Sequence, residues 1–84
     1  MLMAAVPQIT LYTKPECHLC AEALEALERL RRRYPHELHA VDITAEPALL
    51  ERYRDRIPVL AVGGREYSAP LTPSVLRRAL EQAR

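Results

Sequence analysis

The sequence has almost no net charge, because 12 Lys and Arg residues are balanced by 11 Asp and Glu residues. Without a strong electrostatic field, the chain does not favour nucleic acid or an anionic membrane as a partner. A short basic cluster at residues 31–33 closes a helical pattern, where positive charge complements the helix dipole. We interpret that cluster as a helix end and not as a binding patch.

Long hydrophobic runs are also missing. No stretch approaches the roughly 20 apolar residues that a membrane helix needs. The apolar start at residues 1–7 has no basic region and is cut short by Pro7, so we do not predict a secretory signal there. We therefore expect a cytoplasmic location.

Internal repeats, low-complexity runs and linkers are absent. A chain of 84 residues, 49% of them hydrophobic, can form one compact domain with one core and is too short for two. We therefore expect residues 1–84 to form a single domain and a monomer, with one site carrying the function.

The spacing of apolar residues predicts the order strand, helix, strand, helix, strand, strand, helix. A β-prone run at 8–13 precedes the clearest helix, at 17–33, and a second strand at 38–43 follows. Thr44 is placed to cap the next, short helix. The apolar positions assigned to the two helices are Leu19, Cys20, Ala23, Leu24, Leu27 and Leu30 in the first and Ala48, Leu49, Leu50 and Tyr53 in the second.

The last third of the chain predicts a hairpin and a helix. Two runs at 57–62 and 65–67 are joined by a glycine pair at 63–64. Thr72 and Pro73 supply the cap and the first-turn proline of the final helix, whose apolar positions are Val75, Leu76, Ala79 and Leu80. A strand-helix-strand crossover implies parallel strands, and the hairpin adds an antiparallel edge. We expect an α/β fold with a mixed four-stranded sheet and three flanking helices.

Cys17 and Cys20 are the only cysteines, and they fall between the first strand and the first helix. In a reducing cytosol, two cysteines at this spacing indicate redox chemistry or metal binding more often than a structural cross-link. A thiol is nucleophilic only as thiolate, and the N–H groups and dipole of a helix N-terminus stabilise that charge. Cys20 lies one turn further on, so we predict that Cys17 attacks and Cys20 resolves.

Charged neighbours of Cys17 act in opposite directions. Glu16 opposes formation of the thiolate, whereas His18, when protonated, favours it. Lys14 is a second cation at the same edge. We expect a lowered thiol pKa and leave its size open.

Pro58 is unusual because it lies at the start of an apolar strand run. Proline cannot donate to a sheet ladder, so it marks either the beginning of the strand or a special backbone position. The local sequence favours neither interpretation.

Together, these residues resemble the glutaredoxins and their thioredoxin-fold relatives over nearly the whole chain. The resemblance rests on the first strand, the segment from Thr13 to Cys20, and the Ile57-Pro58-Val59 run before a Gly-Gly hairpin. It implies a single-domain thioredoxin fold and a cis Ile57–Pro58 bond whose backbone receives the substrate chain. It also implies that Cys17 attacks a disulfide, in a partner protein or in glutathione, and that Cys20 breaks the mixed disulfide.

The glutathione contacts of that family are only partly present. Lys14 matches the lysine that meets a glutathione carboxylate. His18 and Leu19 replace the Pro and Tyr found between the family's cysteines, and residues 68–71 lack the acid that holds the amino end of glutathione. We therefore expect a disulfide-containing protein partner and an unidentified electron donor, with glutathione as the alternative co-substrate and no other cofactor.

Two other interpretations of the cysteine pair stay open, a metal-binding module and a peptide-binding module. Cys17, Cys20, His36 and His39 form the ligand set of a structural zinc site, although a helix of about four turns would separate the two pairs by roughly 20 Å. An iron–sulfur cluster shared between two chains through Cys17 is a related alternative. The second interpretation is a peptide-binding module, which would bind extended chains at Ile57 and Pro58 and whose dithiol would take no part in catalysis.

Overall fold

The computed structural model describes residues 6–83. Residues 1–5 and 84 lie outside the described part. The prediction that residues 1–7 are not a secretory signal therefore falls mostly on residues that the structure does not describe. The predicted order of elements is confirmed, and a 3-10 turn, Ile43–Ala45, is added. In chain order the elements are β1 (Gln8–Thr13), α1 (His18–Leu30), β2 (Glu37–Asp42), α2 (Pro47–Tyr53), β3 (Val59–Val62), β4 (Arg65–Ser68) and α3 (Pro73–Gln82).

The sheet is mixed, with the strand order β2-β1-β3-β4. β1 and β2 are parallel, as their helical crossover requires, and β3 runs antiparallel to both β1 and β4. Gly63 and Gly64 have φ values of 56° and 83°, the left-handed region that a tight hairpin turn needs. The predicted α/β class and the four-stranded mixed sheet are therefore confirmed.

Successive side chains along each strand point to opposite faces of the sheet. Ile9, Leu11 and Leu60 point to the face covered by α1 and α3, where the larger core lies. Tyr12 and Val59 belong to the smaller core on the face covered by α2. Across residues 6–83, no helix is long and apolar enough to cross a membrane.

Three helix predictions need correction. Leu19, assigned to the buried stripe of α1, is 56% exposed, because Cys20 takes the core direction and adjacent helical residues point about 100° apart. Ala48, assigned to the buried side of α2, is exposed, whereas Leu49 and Leu50 are half-buried and pack against the smaller core as expected. α1 also ends at Leu30, three residues earlier than predicted.

Thr44 does not cap α2. It lies in the 3-10 turn, where its N–H and hydroxyl both donate to the Asp42 carboxylate at 2.8 and 2.7 Å. α2 begins at Pro47 and has no side-chain cap. The cap predicted for the last helix is confirmed, since the Thr72 hydroxyl accepts the N–H of Val75 at 3.3 Å.

Candidate active site at the dithiol

The structure places Cys17 at the N-terminal cap of α1, with an extended backbone. Its Sγ accepts the backbone N–H of Cys20 at 3.2 Å, as a capping side chain does. The two residues form a disulfide, with their Cα atoms 5.2 Å apart. Cys17 is partly exposed whereas Cys20 is only 2% exposed, so an approaching molecule meets Cys17 first.

A tight turn delivers Cys17 from β1 to the helix. Glu16 adopts φ 57°, the left-handed region, directly before the cap. Lys14, Glu16 and His18 line one shallow depression together with the two cysteines. The predicted charged neighbours of the dithiol are thus brought together in one depression with it.

His18 has a partner that the sequence analysis did not identify. Its Nε2 lies 2.9 Å from the Glu22 carboxylate, and both side chains are well exposed. The pair spans one helical turn, so the i, i+4 spacing was the available signal. The proposed influence of Glu16 and His18 on the thiol stays a prediction.

Pro58 has both features that the local sequence suggested. It directly precedes β3, it is buried, and its peptide bond with Ile57 is cis. The N–H of Ile57 donates to the Tyr53 carbonyl at 3.1 Å. A second cis bond, Ala69–Pro70, was not predicted, because nothing in the local sequence distinguishes it.

A groove of about 350 Å³ lies between α1 and the segment that joins β4 to α3, and it reaches Leu19, which stands between the two cysteines in sequence. The N–H of Ala69 donates to the Arg56 carbonyl at 3.2 Å and ties that segment to the chain preceding Pro58. The groove is lined by Leu19, Glu22, Glu25, Ala26, Arg29, Pro58, Ala69, Pro70, Leu71, Thr72 and Pro73. No local sequence pattern indicates this groove, because three separate segments of the chain contribute to it.

The histidines of the zinc alternative lie elsewhere. His36 is buried, with its Nδ1 2.7 Å from the Tyr34 carbonyl, and His39 is exposed on β2. Within residues 6–83, no three or more Cys, His, Asp or Glu residues form a group that could hold a metal ion. The structure does not bring these histidines to the two cysteines.

The clearest pKa shifts occur on the α2 face of the sheet. The Tyr53 hydroxyl donates to the Glu66 carboxylate at 2.6 Å, which raises the pKa of Tyr53 to about 12. That bond, followed by the Arg56 hydrogen bond at 2.8 Å, lowers the pKa of Glu66. The pKa of Asp42 is also lowered, by its hydrogen bonds from Thr44.

A family model and a curated relative both match most of this chain. The model of a family described as glutaredoxin-like domain (DUF836) matches residues 8–81. An uncharacterized protein of Mycobacterium tuberculosis is 31% identical over 67 residues, which are 74% of this chain and 69% of that one.

Solved structures extend the comparison. The protein XcR50 from X. campestris is 38% identical, with a TM-score of 0.78, over 90% of this chain and 99% of that one. NrdH-redoxin from Escherichia coli is 21% identical, with a TM-score of 0.65, over 84% of this chain and 92% of that one, and so shares the fold.

Proposed function

Because this chain belongs to the glutaredoxin-like domain family and forms a Cys-x-x-Cys disulfide, thiol-disulfide oxidoreductase chemistry is supported, and we propose that its substrates are disulfides in a partner protein. The observation that carries the proposal is the position of Cys17. A sulfur that caps a helix and accepts a backbone N–H is stabilised as thiolate, and Cys20 lies within bonding distance behind it.

The proposed reaction starts from the reduced dithiol. The Cys17 thiolate attacks one sulfur of the partner disulfide, forms a mixed disulfide and releases the other partner sulfur as a thiolate, which takes up a proton. Cys20 then loses its proton, attacks Sγ of Cys17 and releases the second partner thiol. The partner gains two electrons and two protons, and the Cys17–Cys20 disulfide is left for a thiol donor to reduce.

Other residues have supporting roles in this proposal. In the proposal, the backbone at Ile57 and Pro58 receives the substrate chain. This role is supported by Pro58, which lines the same groove as Leu19. Lys14, Glu16 and His18 set the charge around Cys17. The dithiol supplies the electrons itself, so the proposal needs no bound metal or cofactor, and it assumes a cytoplasmic monomer.

We favour a protein substrate over glutathione. The acid and the aromatic residue that hold glutathione in glutaredoxins are missing, as the sequence analysis found. NrdH-redoxin, which shares the fold, is described as a glutaredoxin-like protein with a thioredoxin-like activity profile. The electron donor is proposed only as a class, a low-molecular-weight thiol or a dithiol reductase.

Two cysteine variants test the proposal, and each is the control for the other because both remove the same disulfide. Cys17→Ser should abolish reduction of a protein disulfide such as insulin, with dithiothreitol as donor. Cys20→Ser should accumulate a mixed disulfide between Cys17 and the substrate, visible by non-reducing electrophoresis and mass spectrometry. Full reductase activity in Cys17→Ser would rule out the mechanism and favour an idle dithiol.

A further inference from the structure

Several of the residues that line the groove next to Leu19 are apolar. Leu19 is 56% exposed there, directly between the two cysteines in sequence. Pro58, Pro70 and Leu71 complete this apolar part from the opposite wall. An exposed leucine facing prolines across a groove suits apolar side chains of an extended segment.

Charge is distributed unevenly along the α1 wall of the groove. Glu22 and Glu25 follow Leu19 at successive turns, and among residues 6–83 Arg29 is the only basic residue lining the groove. With a rise of about 1.5 Å per residue, the two glutamates lie about 7.5 and 12 Å along the axis from Cys17, and Arg29 about 18 Å. The stretch nearest the dithiol is therefore apolar and then acidic.

These carboxylates are available to a ligand to different degrees. Glu25 is exposed, and within residues 6–83 its side chain has no hydrogen bond or ion pair. Glu22 pairs only with His18, whose side chain is 86% exposed. A cationic side chain lying in the groove would thus meet one carboxylate directly and a second beside it.

We propose that the groove selects partner segments carrying a Lys or Arg about two to four residues from the cysteine that Cys17 attacks. An extended chain advances about 3.3 Å per residue, so these positions fall beside Glu22 and Glu25. The same carboxylates disfavour glutathione, which has two carboxylates and one ammonium group. This inference rests on the proposed function and names the class of its substrate.

The test compares two short peptide disulfides that are identical except for Lys or Glu at the third position from the reacting cysteine. The kcat/KM of the reduced wild-type protein should favour the Lys peptide by about fivefold to tenfold at low ionic strength, from two exposed ion pairs. The preference should shrink at about 0.5 M salt, because surface charges are then screened. Oxidised glutathione should react more slowly than the Lys peptide.

Variants locate the effect. In the double variant Glu22→Gln/Glu25→Gln, the ratio of the two kcat/KM values should fall to about twofold or less. The matched control Glu28→Gln/Glu51→Gln removes the same net charge outside the groove and should keep the wild-type ratio.

Two results would overturn the inference while leaving the proposed function intact: equal rates with both peptides, or loss of the preference in the control variant. Faster reduction of oxidised glutathione than of the Lys peptide would overturn both the inference and the preference for a protein substrate. If the wild-type protein reduces none of these disulfides, the proposed function itself is wrong.

Discussion

The two faces of the sheet are stabilised differently. The face covered by α1 and α3 holds a large core whose members are almost fully buried, among them Leu11, Leu27 and Leu76. The face covered by α2 holds a core of three buried residues, Ile43, Tyr53 and Val59. Hydrophobic burial is therefore the main source of stability on the first face. On the second face, α2 has only seven residues and is stabilised by further contacts.

An aromatic stack and several side-chain hydrogen bonds hold α2 and the chain after it against the sheet. The Tyr53 ring stacks on Tyr12 with centroids 4.2 Å apart, and its hydroxyl bonds to Glu66. Arg56 bonds to Glu66 and to the Ser68 hydroxyl. Cys17 caps α1 and Cys20 belongs to it, so the dithiol is positioned by the helix that packs on the larger core.

The largest difference between the faces should appear on truncating a leucine. Leu27→Ala removes a completely buried side chain of α1 and should lower the free energy of unfolding by about 2–5 kcal/mol. Leu49→Ala, in half-buried surroundings on α2, should cost less than half as much. Urea denaturation followed by circular dichroism measures both, and equal losses would contradict the comparison.

Removing one hydroxyl on each face gives a smaller effect. Tyr53→Phe deletes the bond to Glu66 and should cost about 1–2 kcal/mol, because Glu66 is charged and its side chain is only 29% exposed. Tyr34→Phe is the matched variant on the other face, where the hydroxyl bonds to Glu81 at 2.9 Å. Since Glu81 is exposed, we expect a smaller loss in the same denaturation assay, and a larger one would reverse the comparison.

The smallest effect is a dependence of stability on pH. The folded-state pKa of Glu66 lies below its ordinary value of 4.5, through Tyr53 first and Arg56 second, so the unfolded chain binds the proton more readily. This contribution is present above pH 4.5 and is lost as the pH falls through the lowered pKa. Glu66→Gln should flatten the acid side of a stability profile measured by urea denaturation.

A net-charge control accompanies that measurement. Glu51→Gln changes an exposed residue of α2 that has no ion pair within residues 6–83, and it should keep the wild-type slope. An unchanged slope in Glu66→Gln would show that the polar network on the α2 face does not contribute to the acid dependence.

Prediction from sequence succeeded where local chemistry dictates structure. β1 was predicted with its observed bounds, and the Gly63-Gly64 hairpin and the Thr72 cap follow from turn and capping preferences. It failed at Leu19 and Ala48, because an apolar residue in a helical stripe is buried only if another element covers that position. The cap of α2 failed because Asp42 drew the Thr44 N–H and hydroxyl into a 3-10 turn.

By itself, the sequence determined the order of elements, the dithiol and its place at the start of α1, because spacing and capping preferences are local. The tertiary structure alone decided that Leu19 faces Pro58, Pro70 and Leu71 across a groove, and that Glu22 and Glu25 line it. Those residues come from segments far apart in the chain, and only packing of α1 beside the β4–α3 connection brings them together. The position of the reactive sulfur thus follows from local sequence, whereas the surface proposed to select its partner is formed only by tertiary packing.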